Sequence, residues 1–224
     1  MTTSLGANLK AVLFDLDGTL IDSTEAIVQS FYHTFDHVGD PRPTRAAIED
    51  TISAPLEVQL ASLMDRDPVE MARIYRDHYF ATSTDSTVLL PEVRDTLEQL
   101  KAAGLALGIA TSKSRKGSEI LLDHLGVRDY FDSLIGADDV THTKPHPEAL
   151  LVSLELMGVA ADEAVYVGDT HFDTQAARRA KIPCIGVATG YATRLELEKE
   201  DPAHVMDDMG VVCRVILCSV NGLE

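Results

Sequence analysis

A short apolar run that ends in two carboxylates constrains this chain more than any other stretch. Residues 11–14 (AVLF) lead directly into Asp15, Asp17 follows two positions later, and Gly18 comes next. A continuous apolar run of this length is typical of a strand buried on both faces of a parallel sheet. Carboxylates at its end need compensating charge, and this edge of an open α/β sheet is where ligands bind. The run therefore predicts a ligand site, although Asp and Gly are also common in ordinary turns.

Two kinds of pattern divide the chain. Residues 22–86 show only helical patterns, with helices expected at 24–37, after Thr44, at 55–63 and at 69–81. Beyond residue 90, helices (91–103, 115–125, 147–157, 172–180) alternate with apolar strands (105–110, 133–136, 164–168, 183–187 and a short one at 204–206). Such alternation predicts a parallel sheet covered on both faces. We therefore expect a doubly wound, Rossmann-like α/β core of residues 1–21 and 87–224, with an α-helical unit inserted at 22–86.

The composition limits the class of protein and of partner. The 224 residues are 45% hydrophobic and 25% charged, which is usual for a globular protein with a sizeable core. A formal net charge of −17 argues against nucleic acid or an anionic membrane as a partner, since both need a basic surface. The three cysteines lack metal-ligand spacing, and the N-terminus has no apolar signal segment. We expect a cytoplasmic protein that is a monomer or a homodimer.

Polar side chains follow the predicted strands at one edge of the sheet. They are Asp15 and Asp17 after the first strand, Thr111 and Ser112 after 105–110, Lys144 in the loop THTKPHP, and Asp169 after 164–168, with Asp173 one helical turn later. Carboxylates gathered there would repel one another unless a cation binds. Mg²⁺ is typically bound by one or two carboxylates, with water and substrate oxygens completing its coordination shell. A lysine and a hydroxyl beside such a metal match a phosphoryl group. Either Asp15 or Asp17 could then be the nucleophile.

Four segments carry a resemblance to a known family. FDLDGTL, ATS, TKP and VGDTHFD, in this order, resemble the four motifs of the haloacid dehalogenase superfamily. The similarity extends from residue 10 to about residue 208, and the helical insertion resembles the small α-helical cap of that superfamily. DSTEAI, TKPHPEAL and GVATGY look most similar to its phosphoglycolate phosphatase-like branch.

The resemblance implies roles for the two carboxylates of the first motif. Asp15 would be the nucleophile that takes the phosphoryl group as an aspartyl phosphate, and it would also ligate Mg²⁺. Asp17 would protonate the leaving oxygen and then activate water, while its backbone carbonyl ligates the metal.

The other motifs supply the residues around these two. Thr111 would bind phosphate oxygens through its hydroxyl, assisted by the backbone N–H of Ser112. Lys144 would neutralise the nucleophile and the phosphate, Asp169 would ligate the metal, and Asp173 would orient the groups around it. The predicted activity is that of a Mg²⁺-dependent phosphatase acting on a small phosphorylated metabolite.

Several substrates and one other reaction stay open. Phosphoglycolate is the leading candidate, and the alternatives are pyrophosphate, nucleotides, sugar phosphates and a phosphomutase reaction. Asp17 favours phosphoryl chemistry, because dehalogenation at carbon needs no acid two residues after the nucleophile. No lysine occurs between Lys10 and Lys101, so the insertion cannot form the Schiff base that phosphonatases of this group use.

Some neighbouring residues have two interpretations. Arg42 and Arg45 in the insertion are candidates for a substrate carboxylate, but exposed arginines are the simpler interpretation. Lys113 is either a substrate contact or a solvated lysine. The histidines at 142 and 146 flank Lys144, and by themselves they are weak evidence for a metal site.

Overall fold

A parallel sheet forms the centre of the structure, a computed structural model that describes residues 5 and 8–222. In chain order the strands of this part are β1 (Ala11–Phe14), β2 (Ile21–Asp22), β3 (Val88–Leu89), β4 (Ala106–Ala110), β5 (Ser133–Ile135), β6 (Ala164–Gly168), β7 (Cys184–Val187) and β8 (His204–Met206). Six of them form one sheet in the order β5-β4-β1-β6-β7-β8, in which every neighbouring pair is parallel. The α/β class and the parallel sheet expected from the sequence are confirmed.

Helices cover the sheet and form the insertion. Within the described residues they are α1 (Thr24–Val38), α2 (Arg45–Glu49), α3 (Leu56–Leu63), α4 (Pro68–Thr82), α5 (Val93–Ala102), α6 (Arg115–His124), α7 (Glu148–Met157), α8 (His171–Ala180), α9 (Arg194–Lys199) and α10 (Met209–Val220). The first eight agree with the predicted helices to within two residues at each end where a range was predicted. None of the helices in the described part combines the length and the apolar character that crossing a membrane requires.

The patterns in the sequence do not indicate α9 or α10. Helix α9 has only six residues and is capped by Thr193, whose hydroxyl accepts a hydrogen bond from the backbone N–H of Glu196. Helix α10 contains four valines and one isoleucine, residue types that favour strands when considered alone. Its buried residues pack against α5 and β7, and this tertiary packing overrides the local preference.

Strand β1 lies at the centre of the sheet and is fully buried. It pairs with β4 on one side and with β6 on the other. Val12 and Phe14 face one hydrophobic cluster, and Ala11 and Leu13 face a second cluster across the sheet. Both faces of this strand are therefore apolar, and Asp15 is the first position at which it can present a charge.

The helical insertion leaves and rejoins the core at one place. Strands β2 and β3 pair antiparallel, with Ile21 opposite Leu89, just before α1 and just after α4. Helix α1 buries the face that carries Ile27, Phe31 and Phe35, and Phe31 meets Tyr75 of α4 edge-on at 5.0 Å between ring centroids. Residues 24–82 are thus helical around their own apolar contacts, as expected. Their independence as a cap and the exact domain boundaries stay predictions.

Candidate active site

Three buried carboxylates meet at the edge of the sheet where β1 and β6 end. Asp15 follows β1, Asp169 follows β6, and Asp173 lies in the first turn of α8. Each offers an oxygen that lies within 4.8 Å of the others, and all three side chains are buried. This edge of the sheet therefore gathers negative charge out of contact with water, as the sequence predicts.

Asp169 is held by hydrogen bonds from two distant segments. The Thr19 hydroxyl donates to its Oδ1 at 2.9 Å, and the backbone N–H of Tyr191 donates to its Oδ2 at 2.9 Å. A Cβ atom added at Gly18 or at Gly190 would lie 2.4 or 2.0 Å from Asp169 Oδ2. Only glycine leaves room for the carboxylate at these two positions, so the backbone itself fixes where Asp169 lies.

Asp173 is surrounded by donors. Its Oδ1 accepts hydrogen bonds from Lys144 Nζ at 2.6 Å and from the Tyr166 hydroxyl at 2.8 Å. Its Oδ2 accepts from the backbone N–H of Thr170 at 3.0 Å and from the hydroxyl of the same residue at 2.6 Å. With both oxygens engaged in this way, Asp173 is suited to orienting its neighbours. This is the supporting role that the family resemblance implies for it.

Lys144 lies between two carboxylates and is itself buried. Its ammonium is 2.9 Å from Asp15 Oδ1, close enough for an ion pair although the contact lacks hydrogen-bond geometry. The Tyr166 hydroxyl lies 3.1 Å from the same nitrogen and donates to Ala110 O at 3.0 Å or to Asp173. Tyr166 thus connects the lysine to the end of β4, a link that the sequence does not reveal.

The electrostatics of this cluster show an excess of negative charge. Burial raises the pKa of Asp15 to about 6, although the charge of Lys144 acts in the opposite direction. Burial, together with the charges of Asp173 and Asp15, raises the pKa of Asp169 well above its ordinary value. Burial alone would lower the pKa of Lys144, but the same carboxylates raise it above its usual value. One lysine does not balance three acids, so a divalent cation fits this donor set.

Asp17 is not one of these three clustered carboxylates and has its own cation. Its Oδ2 lies 3.0 Å from Lys113 Nζ, and its Oδ1 accepts a hydrogen bond from the Ser23 hydroxyl. Lys113 also donates to the Tyr79 hydroxyl of α4 at 2.9 Å. Burial lowers the pKa of Lys113, but the charge of Asp17 and the interactions with Tyr79 and Tyr75 together outweigh this, and the pKa lies well above its usual value. The interpretation of Lys113 as a solvated lysine is therefore wrong.

Thr111 and Ser112 follow β4, as predicted, and lie beside the carboxylates. Thr111 is buried, and its hydroxyl accepts a hydrogen bond from the backbone N–H of Lys113 at 3.3 Å. The Ser112 hydroxyl oxygen is buried and has no hydrogen-bond partner among the described residues. Both residues line the same cavity as Asp15 and Asp17.

This cavity has a volume of about 310 Å³ and lies between the sheet edge and the helical insertion. The insertion contributes the segment 52–57 and side chains of α1, α3 and α4 to its wall. Arg76 of α4 is among them, and its guanidinium pairs with Glu57 at 2.6 Å. Arg42 and Arg45 do not line the cavity and pair instead with acids on the surface. Arg76 is thus the arginine that the insertion presents to the site, and the sequence analysis did not single it out.

The sequence of most of the chain matches one family. A sequence model of the haloacid dehalogenase-like hydrolases matches residues 12–187. The chain belongs to the haloacid dehalogenase-like hydrolase family. Its four predicted motifs end at the edge of the sheet that carries the carboxylates, so the family resemblance seen in the sequence is confirmed.

The relatives of this haloacid dehalogenase-like hydrolase include phosphoglycolate phosphatases and pyrophosphatases. A phosphoglycolate phosphatase of Yersinia pestis is 36% identical over 191 residues, which is 82% of each chain. The pyrophosphatase PpaX of Bacillus velezensis is 34% identical over 199 residues, which is 89% of this chain and 92% of that protein. Among solved structures, a haloacid dehalogenase-like family hydrolase from Streptococcus pneumoniae superimposes with a TM-score of 0.85 at 28% identity, covering 93% of this chain and 98% of that one. The predicted enzyme class, a phosphatase of this hydrolase family, is confirmed.

Proposed function

We propose that this haloacid dehalogenase-like hydrolase is a Mg²⁺-dependent phosphatase that acts on a small phosphorylated metabolite through an aspartyl phosphate at Asp15. The observation that carries the proposal is the buried Asp15 carboxylate. It lines the cavity, its ion pair with Lys144 is 2.9 Å long, and Asp169 lies beside it. A carboxylate that faces a cavity from within a charge-compensated cluster is suited to nucleophilic attack on phosphorus.

Mg²⁺ would be held by the oxygens of Asp15 and Asp169 and by the backbone carbonyl of Asp17. Asp173 would keep this set in place through Lys144, Thr170 and the start of α8. When bound, the ion supplies positive charge to the phosphoryl oxygens and relieves the repulsion among the carboxylates. The donor set consists of hard oxygen ligands, which favours Mg²⁺ over softer ions.

The first half of the reaction transfers the phosphoryl group to the enzyme. A carboxylate oxygen of Asp15 forms a bond to phosphorus while the bond from phosphorus to the leaving oxygen breaks. Asp17 gives its proton to that oxygen. Thr111 and the backbone N–H of Ser112 bind phosphoryl oxygens, and Lys144 offsets their charge.

The second half returns the enzyme to its starting state. Asp17 takes a proton from a water molecule whose oxygen bonds to phosphorus, and the bond to Asp15 breaks to release inorganic phosphate. The helical insertion would act as a cap that excludes bulk water during transfer and readmits it for hydrolysis.

We propose phosphoglycolate as the leading substrate. Its leaving group carries a carboxylate, and an arginine pairs well with such a group. Arg76 lies in the cavity wall opposite the core residues, with Glu57 as its present partner. Pyrophosphate, whose leaving group is also anionic, is the nearest alternative, and nucleotides and sugar phosphates are further ones. A cytoplasmic location and a monomeric or homodimeric state stay predictions.

Release of inorganic phosphate tests the proposal. A panel of phosphoglycolate, pyrophosphate, hexose phosphates and nucleoside monophosphates is assayed with Mg²⁺ and with a chelator in its place. We expect Mg²⁺-dependent release that is fastest with phosphoglycolate, and loss of at least about a thousandfold in the rate for Asp15→Asn without loss of the fold. Conversion of a sugar phosphate with no change in free phosphate would indicate a phosphomutase. A wild-type rate for Asp15→Asn would refute the assignment of the nucleophile.

A further inference from the structure

A second group of metal-ligating side chains lies on the turn that carries Lys144. His142, His146 and Glu148 each offer one ligand atom, and these atoms all lie within 4.8 Å of one another. His142 Nδ1 is 3.0 Å from Glu148 Oε2, and His146 Nδ1 is 3.7 Å from the same oxygen. The two imidazole rings are 4.7 Å apart between centroids. Two histidine nitrogens therefore converge on one carboxylate oxygen.

The backbone of this turn holds the three side chains together. Glu148 is the first residue of α7, and its carboxylate accepts hydrogen bonds from the backbone N–H of Thr141 at 2.8 Å and of His142 at 3.0 Å. The backbone N–H of His146 donates to Thr143 O at 3.0 Å and closes the turn. The start and the end of the loop are thus tied to each other, and the three ligand atoms are brought together by contacts that need no ion.

We propose that His142, His146 and Glu148 form a binding site for a divalent cation of the zinc class. Two imidazoles and one carboxylate are a donor set that suits Zn²⁺ and related ions. Tetrahedral zinc with bonds of about 2.0–2.1 Å places its ligand atoms about 3.3 Å apart. The separations of the two histidine nitrogens from Glu148 Oε2, 3.0 and 3.7 Å, lie on either side of this value. All three ligand atoms lie within 4.8 Å of one another, close to the spacing that one ion requires.

The site differs from the carboxylate cluster in chemistry and in exposure. The side chains of His142 and His146 are 62% and 50% exposed, so water can complete the coordination of a bound ion. The cluster around Asp15 offers only oxygens and is buried, which favours Mg²⁺. Nitrogen ligands select against Mg²⁺, so an excess of Mg²⁺ occupies the carboxylate cluster and leaves the histidine site free for a zinc-class ion.

The position of the site gives it a structural consequence. Lys144 lies between the two histidines in sequence, and its side chain points inward to Asp15 and Asp173. An ion bound by His142 and His146 crosslinks the turn on its outer side. Only the folded turn holds the three ligand atoms close enough to bind one ion. The ion therefore stabilises the folded state over the unfolded chain and raises the melting temperature.

Zinc titration tests the proposal. Protein saturated with Mg²⁺ competes with a chromophoric indicator for Zn²⁺, and the variants His142→Gln, His146→Gln and their combination are compared with His124→Gln, which alters an exposed histidine at the end of α6. We expect one zinc equivalent in the wild type and in His124→Gln, and binding at least about tenfold weaker in each variant of the site. A zinc affinity of the double variant equal to that of the wild type overturns the proposal.

Two further measurements separate this site from the carboxylate cluster. Co²⁺ bound by Asp169→Asn protein is expected to show the strong visible absorption of four-coordinate cobalt, and the spectrum should be absent when His142 and His146 are also replaced. Zn²⁺ should raise the melting temperature of the wild type and of His124→Gln but not that of the double variant. Both readouts are made without substrate, so an inactive phosphatase would leave them intact, and an equal rise in all variants would contradict the site.

Discussion

Replacement of Gly190 by alanine tests how strictly Asp169 must be placed. The new Cβ would lie 2.0 Å from Asp169 Oδ2 and 2.7 Å from the Cα of Gly18. An ordinary contact to a Cβ begins at 3.4 Å, so relief requires a movement of more than 1 Å. Because the new Cβ is also too close to the Gly18 backbone, either the loop that carries Gly190 or the Asp169 carboxylate must move. Both movements disturb the hydrogen bond from the Tyr191 N–H to Asp169 Oδ2 and with it the position of the carboxylate.

The size of the effect follows from the tolerance of a metal site. Distances from metal to ligand are held to about ±0.2 Å, and a misplacement of about 1 Å near the chemistry can reduce the rate a hundredfold. We expect Gly190→Ala to reduce kcat about a hundredfold and to shift the Mg²⁺ dependence to higher concentration. Overpacking should also reduce the free energy of unfolding by about 1–3 kcal/mol.

The assay is phosphate release as a function of Mg²⁺ concentration, together with thermal unfolding. Gly186→Ala is the matched control, because a Cβ there lies 3.4 Å from Leu197 Cδ1 and does not approach Asp169. It should retain a rate close to that of the wild type. A Gly190→Ala enzyme with the wild-type rate and Mg²⁺ dependence would show that the position of Asp169 does not limit activity, and the metal assignment would then be wrong.

Three more predictions concern the charges around the site. Tyr166→Phe removes a hydroxyl that contacts Lys144, so it should lower the free energy of unfolding by about 1–3 kcal/mol and reduce kcat. An unchanged melting temperature and an unchanged kcat would contradict this prediction. Arg76→Ala should raise KM for phosphoglycolate but not for an alkyl phosphate whose leaving group carries no charge, whereas the exposed Arg73→Ala should change neither KM. Equal effects on both substrates would exclude recognition of an anionic leaving group. Without Mg²⁺, the pKa of Asp15 is raised from 3.8 to about 6, so stability present at acidic pH is lost as the pH rises through this range. Addition of Mg²⁺ should therefore raise the melting temperature more at pH 7 than at pH 5, and an equal rise at both would refute the linkage.

The parts of the site that the sequence predicts are those that follow a strand. Asp15, Thr111 and Asp169 each come directly after an apolar run, and parallel strands bring their carboxyl ends to one edge. The role of Lys144 is predicted from the TKP segment, which resembles one of the superfamily motifs. These positions depend on local sequence and on one topological rule, and the structure places them together.

The parts that the sequence does not predict depend on contacts between distant residues. Thr19 and Asp169 are 150 residues apart, and nothing in the pattern around either one indicates their hydrogen bond. Ser23 looks like an ordinary helix cap, yet its hydroxyl binds Asp17 and makes no capping hydrogen bond. The position of Arg76 depends on how α4 packs over the sheet, which periodicity alone does not determine.

The small ribbon of β2 and β3 also affects how the central strands come together during folding. Ala11 pairs with Ala106, so β1 and β4 close a loop of 95 residues. Once Ile21 has paired with Leu89, the path between the same two residues shortens to about thirty. The entropy of loop closure then falls by about 1 kcal/mol, because it grows with the logarithm of the loop length. If the helical insertion folds first, β1 and β4 can pair by closing a short loop. The contact order calculated from the whole chain then overestimates how slowly these two strands pair.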